Sequence, residues 1–244
     1  RMFYLCHAYL KGDGFYTGRQ PILQEMFVGG DQWVHFKTGN VAQAKQPVPF
    51  PGTFQKESED FEDSFGGKSL KVEWNWNYPY SDVVTTFKKG KLLLAGHPKK
   101  GNLHGTALCL RAETPDYSYE TKLVNTNKSV KGLTMYGDDK NLVIWGVSGN
   151  KLFLKRIKDN EESTLYESVC NNKEVYLKIT VEKGSLLNFY QSKDGKEWTS
   201  VQDTYFQGQD LVRWDRVSRP GLIHIGDVNE PAEFEYFKTQ VKNK

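Results

Sequence analysis

Apolar and polar residues alternate with a period of two along much of this chain. Val175, Leu177, Ile179 and Val181 are separated by Tyr176, Lys178 and Thr180. Successive side chains of a strand point to opposite faces, so this segment predicts a strand with one dry face. Lys183-Gly184-Ser185 follows as a hairpin-type turn, and Leu187 and Phe189 then resume the alternation. Ser192-Lys193-Asp194-Gly195-Lys196 predicts a second turn, whose Asp-Gly pair suits positive φ. Val143, Trp145 and Val147 alternate again before Ser148-Gly149-Asn150 turns the chain into Lys151-Leu152-Phe153-Leu154. Leu92 and Leu94 follow Lys89-Gly90. Nowhere does an i, i+3, i+4 apolar pattern last three turns. Short strands with turns every ~8–12 residues predict an all-β sandwich or barrel. No internal repeat is visible.

This pattern divides the chain into three zones. Residues 1–43 are a short, strand-rich end piece. Its first ten residues, Arg1 to Leu10, read as a buried strand with no charged leader or signal-peptide pattern before it. A buried strand needs neighbours on both sides for its N–H and C=O groups. The chain is therefore expected to be the C-terminal part of a longer protein. Residues 44–58 hold Pro47, Pro49, Pro51 and Gly52, and predict an extended linker, because proline fixes φ and removes a donor. Residues 59–244 are one long β stretch, within the usual size of a single sandwich.

Composition narrows the function classes. The 33 basic and 30 acidic residues nearly cancel, and no basic block stands out beyond Lys88-Lys89 and Lys99-Lys100. A nucleic-acid footprint needs clustered charge, so nucleic acid is not an expected partner. No apolar run reaches the ~18 residues of a membrane helix, and no membrane partner is expected. The aromatic fraction of 14% offsets a hydrophobic fraction of only 38%, because aromatics bury the most area per residue. Cys6, Cys109 and Cys170 are widely spaced, without a C-x-x-C or zinc pattern. Buried free thiols and a Cys109–Cys170 disulfide both fit that spacing.

The end piece carries a family resemblance. Tyr4-Leu5-Cys6-His7-Ala8-Tyr9, the Gly12-Asp13-Gly14 turn, Gly18-Arg19-Gln20-Pro21-Ile22-Leu23-Gln24-Glu25 and Gly30-Asp31-Gln32-Trp33 resemble the end of the catalytic domain of glycoside hydrolase family 43. The later zone resembles the concanavalin-A-like domain appended to many of those enzymes. The stretches that carry this include Glu59-Asp60-Phe61-Glu62-Asp63, Trp74-Asn75-Trp76-Asn77 and Ser192-Lys193-Asp194-Gly195-Lys196-Glu197-Trp198. Arg213-Trp214-Asp215-Arg216-Val217-Ser218-Arg219-Pro220-Gly221 and Ala232-Glu233-Phe234-Glu235-Tyr236-Phe237 complete them. The resemblance implies a concanavalin-A-like β-sandwich preceded by the last strands of a five-bladed β-propeller. It implies a parent enzyme acting on xylan- or arabinan-type carbohydrates, with a periplasmic or secreted location. The remainder of the propeller would be a partner of this chain.

Glycoside hydrolysis needs a general acid opposed to a second carboxylate. In the family these lie in earlier propeller blades, and no acid of residues 1–43 sits in a matching motif, so no catalytic residue is assigned. His7 matches a histidine near the propeller axis that is associated with bound calcium or its water shell. Calcium prefers oxygen ligands, so His7 is expected beside such an ion rather than in a cage around it. No organic cofactor is expected. Arg19 matches an arginine that reaches the sugar next to the cleaved bond, and its fork of donors suits hydroxyls. An arginine tying blades together is the other reading.

In the sandwich, Trp74, Trp76, Tyr78, Trp145 and Trp214 could stack on sugar rings or fill the core. Trp74 and Trp76 share a strand face by period two, and form a binding platform if that face is exposed. Glu62, Asp63 and Glu235 are candidates for a structural calcium, against the reading of solvated charges. Arg213-Trp214-Asp215-Arg216 reads as a loop with internal ion pairing, or as a segment facing the propeller. Two further function classes stand beside the hydrolase. One is a lectin-like carbohydrate-binding sandwich without catalysis, and the other a sandwich-type enzyme using Glu233 and Glu235. The direction in which Trp74 and Trp76 point discriminates the first two.

Overall fold

A computed structural model describes residues 2–8, 20–39, 52, 60–112, 114–211 and 217–242 of the chain. The end piece is a three-stranded antiparallel sheet of β1 (Met2–Ala8), β2 (Gln20–Val28) and β3 (Val34–Phe36), in the order β1-β2-β3. β1 is thus an outer strand, hydrogen-bonded to β2 with Leu5 opposite Leu23. The linker expected over residues 44–58 lies outside the described residues apart from Gly52.

The remaining strands form two antiparallel sheets. They are β4 (Phe61–Asp63), β5 (Asn75–Trp76), β6 (Ser81–Phe87), β7 (Leu92–Pro98), β8 (Thr106–Cys109) and β9 (Tyr117–Val124). Next come β10 (Val130–Asp138), β11 (Asn141–Ser148), β12 (Lys151–Lys158), β13 (Glu161–Val169), β14 (Glu174–Glu182) and β15 (Leu186–Ser192). β16 (Thr199–Ser200), β17 (Phe206–Gln207), β18 (Arg219–Ile225) and β19 (Ala232–Val241) close the series. One sheet has seven strands in the order β13-β12-β11-β10-β18-β8-β5. The other has nine, in the order β16-β15-β14-β9-β19-β7-β6, with β17 on β15 and β4 on β19. The first and last strands of the sandwich therefore pair, Asp63 lying opposite Phe237. Among the described residues no helix is long and apolar enough to cross a membrane.

The turns predicted at Ser148-Gly149-Asn150, at Lys183-Gly184-Ser185 and at residues 192–196 are the observed ones, and the Gly12-Asp13-Gly14 turn lies outside the described residues. Lys183 and Gly184 have φ of 51° and 72°, Gly149 of 57° and Gly195 of 75°, the left-handed region that the Gly and Asp-Gly signals anticipate. Val175, Leu177, Ile179 and Val181 all face the core from β14, while Tyr176, Lys178 and Thr180 are half-buried on the outer face. Each fully buried aliphatic side chain of this kind contributes roughly 1.5–3 kcal/mol.

The seven-stranded sheet departs from the expected single dry face. Leu133, Met135, Val143, Trp145, Val147, Leu152 and Leu154 join the main core, and the alternate positions form a second cluster behind them. That cluster holds Ala107, Cys109, Tyr136, Leu142, Ile144, Phe153, Ile157 and Ile223. β11 is consequently apolar at almost every position, the pattern of a strand covered on both sides. Cys109 and Cys170 are both buried free thiols, so the alternative of a disulfide between them is not realised. Burial pushes the Cys109 thiol up to about 12.

Polar tips of large aromatics tie the two sheets across the core. Tyr119 on β9 donates its hydroxyl to the carbonyl of Thr134 on β10 at 3.0 Å, and Trp145 on β11 donates Nε1 to the carbonyl of Tyr190 on β15 at 2.8 Å. At the end of β10, Lys131 is 0% exposed. Its Nζ donates to Asn127 O at 3.0 Å, Ser129 O at 2.9 Å and Asn125 Oδ1 at 3.3 Å, so the ammonium caps the β9–β10 loop from inside. Beside it, Gly132 faces Gly146 across the ladder. A Cβ on Gly132 would stand 2.3 Å from the carbonyl oxygen of Trp145, a closeness only glycine permits.

Candidate functional site

The segment after Trp74 forms an aromatic rim at the β5 edge of the seven-stranded sheet. Asn77 fixes it. The Asn77 backbone N–H donates to Ala107 O at 3.3 Å, its Oδ1 accepts from Ala107 N at 3.1 Å, and its Nδ2 donates to Gly105 O at 3.0 Å. Asn102 clamps the facing loop, donating Nδ2 to Gly105 O at 2.7 Å and to Tyr80 O at 3.0 Å. Trp76 (39% exposed) and Tyr78 (70% exposed) project from this braced backbone, with exposed Leu103 on the facing loop. Tyr136 is buried against Asn77, and His104 is buried beside Asn160, Glu162 and Asp139. Burial lowers the imidazole pKa of His104, so the ring is neutral at pH 7. A braced ledge of exposed aromatics can stack a ring.

Trp74 does not belong to that ledge, which corrects the expected Trp74–Trp76 platform. β5 begins only at Asn75, and Trp74 sits in a turn closed by its N–H to Lys71 O at 3.2 Å. The period-two argument therefore does not reach it. Its ring is 5% exposed and packs against Phe61, Phe65 and Phe237, while Nε1 donates to Asp63 Oδ2 at 2.9 Å. Trp145 is likewise core.

Two of the three acids considered for a structural calcium have their carboxylates engaged within the protein. Asp63 is buried and accepts from Phe65 N–H on Oδ1 and from Trp74 on Oδ2, both at 2.9 Å. Glu235 bridges Lys91 at 3.2 Å and Lys122 at 2.9 Å. Burial works against its ionisation, but the hydrogen bonds from Lys122 and Lys91 prevail and hold its carboxyl below the usual range. With their oxygens engaged by protein donors, these residues do not fit a cation. No cluster of three or more His, Cys, Asp or Glu side chains able to hold a metal occurs among the described residues. Glu233 also pairs with Lys91, at 2.7 Å. Glu233 and Glu235 are thus members of an ion-pair ladder on the outer face of the nine-stranded sheet. Both carboxylates are held in ion pairs with lysines instead of standing free over a cleft.

Residues 62–240 match the family described as the beta xylosidase C-terminal concanavalin A-like domain. The chain belongs to that family. The likeness extends beyond the concanavalin A-like domain in solved structures. The family 43 glycoside hydrolase (GH43) BlXynB from Bacillus licheniformis superposes with a TM-score of 0.78 at 17% identity, over 98% of this chain and 50% of that one. Xylan β-1,4-xylosidase from Bacillus halodurans C-125 gives 0.74 at 22% identity, over 98% and 50%. GH43B of the Bacteroides ovatus xyloglucan locus gives 0.75 at 16% identity, over 98% and 51%. At these identities the likeness is one of fold, and the chain spans about half the length of each. No curated protein matches it.

Two expected site residues belong to the end piece that precedes this concanavalin A-like domain. His7 lies on β1 with its backbone opposite Pro21, and its side chain is outside what is described. Arg19 lies outside the described residues, as do Arg213-Trp214-Asp215-Arg216 of the sandwich. The Gly30-Asp31-Gln32-Trp33 motif is a turn organised by Asp31, whose Oδ1 accepts from Trp33 N–H at 3.1 Å and from His35 Nε2 at 2.9 Å. The hydrogen bond from His35, ahead of that from Trp33, lowers the Asp31 pKa. Asn77, Asn102, His104 and Tyr136 were not anticipated as a group. Asn77, beside the tryptophans, and Tyr136, in Tyr136-Gly137-Asp138, fall in stretches that resemble the family, and nothing local marks Asn102 or His104.

Proposed function

We propose that this chain is the C-terminal part of a glycoside hydrolase of the β-xylosidase or α-L-arabinofuranosidase type. Its substrates are xylan- or arabinan-type polysaccharides or oligosaccharides. The observation that carries this reading is the pairing of the family match over residues 62–240 with a fold shared across 98% of the chain with BlXynB. That cover includes the β1–β3 sheet as well as the sandwich, the combination expected where a propeller ends and its appended domain begins. In this reading β1 continues into propeller strands supplied by the rest of the protein, and the sandwich buttresses that domain.

Arg19 donates to the sugar next to the cleaved bond. His7 stands near the propeller axis beside a calcium ion. Trp76, rigidly held and exposed, contributes a stacking face at the rim, a role that Trp74 does not share. The chain carries no assigned acid–base pair, so chemistry belongs to the upstream carboxylates. The test compares residues 1–244 with the protein made from its extended coding sequence, on 4-nitrophenyl β-D-xylopyranoside and α-L-arabinofuranoside. Turnover by the longer protein alone supports the proposal. Turnover by residues 1–244 overturns it.

A further inference from the structure

A cleft of about 450 Å³ opens at one end of the sandwich, away from the rim residues. It lies where the chain crosses from β13 in one sheet to β14 in the other, against the loop between β15 and β16. Its lining includes Cys170, Val175, Asn172, Gln191, Glu197 and Thr199. Buried Val175 and Cys170 supply apolar surface. Gln191 follows Leu187 and Phe189 at period two, so it is placed on the core-facing side of β15, where the two sheets part. Thr199 on β16 lies opposite it. The side chains of Asn172, Gln191, Glu197 and Thr199 have no hydrogen-bond or ion-pair partner among the described residues.

The rim is built rather than loose. Asp194 Oδ1 accepts from Lys196 N–H at 2.8 Å, Glu197 N–H at 3.1 Å and Ser192 Oγ at 3.0 Å. Ser192 Oγ in turn accepts from Gly195 N–H at 2.9 Å. Gly195 takes φ +75° with its Cα over the Tyr176 ring, where a Cβ would come within 2.9 Å. The loop that carries Glu197 is therefore held before any ligand arrives, which lowers the ordering cost of binding.

We propose that this cleft is a binding site for a neutral sugar, a pentose-type oligosaccharide end. An apolar floor with a few converging polar groups is the general form of a small-ligand site, and ~300–1,000 Å³ is its usual size. Two primary amides, a hydroxyl and a carboxylate offer both donors and acceptors to vicinal hydroxyls. Val175 and Cys170 close the bottom of the cleft with apolar side chains that belong to the core. The charged lining is Lys193 against Asp194 and Glu197, so a phosphate or carboxylate ligand is disfavoured. The choice of pentose rests on the functional reading above. The site itself rests on the cleft.

The test is calorimetric titration of the 244-residue chain with xylotriose, with arabinotriose and, as an anionic comparison, with a pentose phosphate. Saturable binding of at least one neutral trisaccharide is expected, together with about tenfold weakening in Glu197→Ala and threefold to tenfold in Gln191→Ala. Thermal midpoints of both variants should match the parent chain. Glu197 is exposed, so that variant decides if Gln191→Ala fails to fold. Absence of binding, equal affinity in the variants, or preference for the phosphate overturns the proposal. None of those results bears on the hydrolase reading, which stands or falls on turnover by the extended protein.

Discussion

The buried ammonium of Lys131 should make this protein more stable as pH rises above neutrality. Burial lowers its pKa from 10.5 to about 8, with nearby Glu230 acting in the opposite direction. Its three acceptors are neutral oxygens of Asn125, Asn127 and Ser129, so no carboxylate in contact offsets the desolvation. Below pH 8 the lysine is charged both folded and unfolded, and the folded state carries the cost of the buried charge. Between about pH 8 and 10.5 the unfolded chain keeps the proton while the folded protein has released it. Stability contributed by this group therefore increases with pH through that window. A drop from 10.5 to about 8 corresponds to about 3 kcal/mol between pH 7 and 10.5. His224 packs nearby, but burial lowers its pKa below 6.5, outside the window. The measurement is urea unfolding followed by tryptophan fluorescence for the parent chain and Lys131→Met at pH 7, 8, 9, 10 and 10.5. The variant lacks the titrating group, so the difference between the curves isolates Lys131 from the other lysines. The parent should gain about 3 kcal/mol relative to the variant across the series. A difference that stays flat, or that falls with pH, refutes the reasoning.

Other outcomes follow from the same geometry. Trp74→Phe removes the donor to buried Asp63 and should cost about 1–3 kcal/mol in urea unfolding, whereas Trp76→Phe at the exposed rim should change stability by less than about 0.5 kcal/mol; equal effects would contradict the core placement of Trp74. Gly132→Ala drives a methyl into the Trp145 carbonyl and should lower stability by about 1–3 kcal/mol or leave the protein insoluble; an unchanged unfolding midpoint would show that β10 and β11 can separate freely. Glu235→Gln loses part of the Lys91 and Lys122 pairing on a half-exposed face and should cost at most about 1 kcal/mol, a loss that fades in 1 M salt; a larger, salt-insensitive loss would contradict the screened ladder.

Turns, and strands such as β14, β15 and β11, were legible in the sequence because their causes are local. Alternation in Val175–Val181 follows from the pleat of a single strand, and positive φ at Gly149, Gly184 and Gly195 follows from the missing Cβ. Motif order along the chain also carried the family, since the motifs run from β1 to β19. Contacts between distant segments decided the rest. Leu142 and Ile144 gain a dry face because a second cluster forms behind the seven-stranded sheet. Trp74 and Trp76 part company because Asp63, eleven residues upstream, supplies a buried acceptor for Trp74. In β19 a register shift between Phe234 and Tyr236 changes the phase, so Phe234 and Phe237 both reach the core although their spacing is odd. Lys131 reads locally as an ordinary surface lysine, and its burial comes from the loop that folds over it. The cleft at Gln191 exists because two sheets diverge at a crossover. Period and turn chemistry are properties of a few neighbouring residues. Which face meets another sheet, and which polar atom is left without water, depends on surfaces brought together from far along the chain.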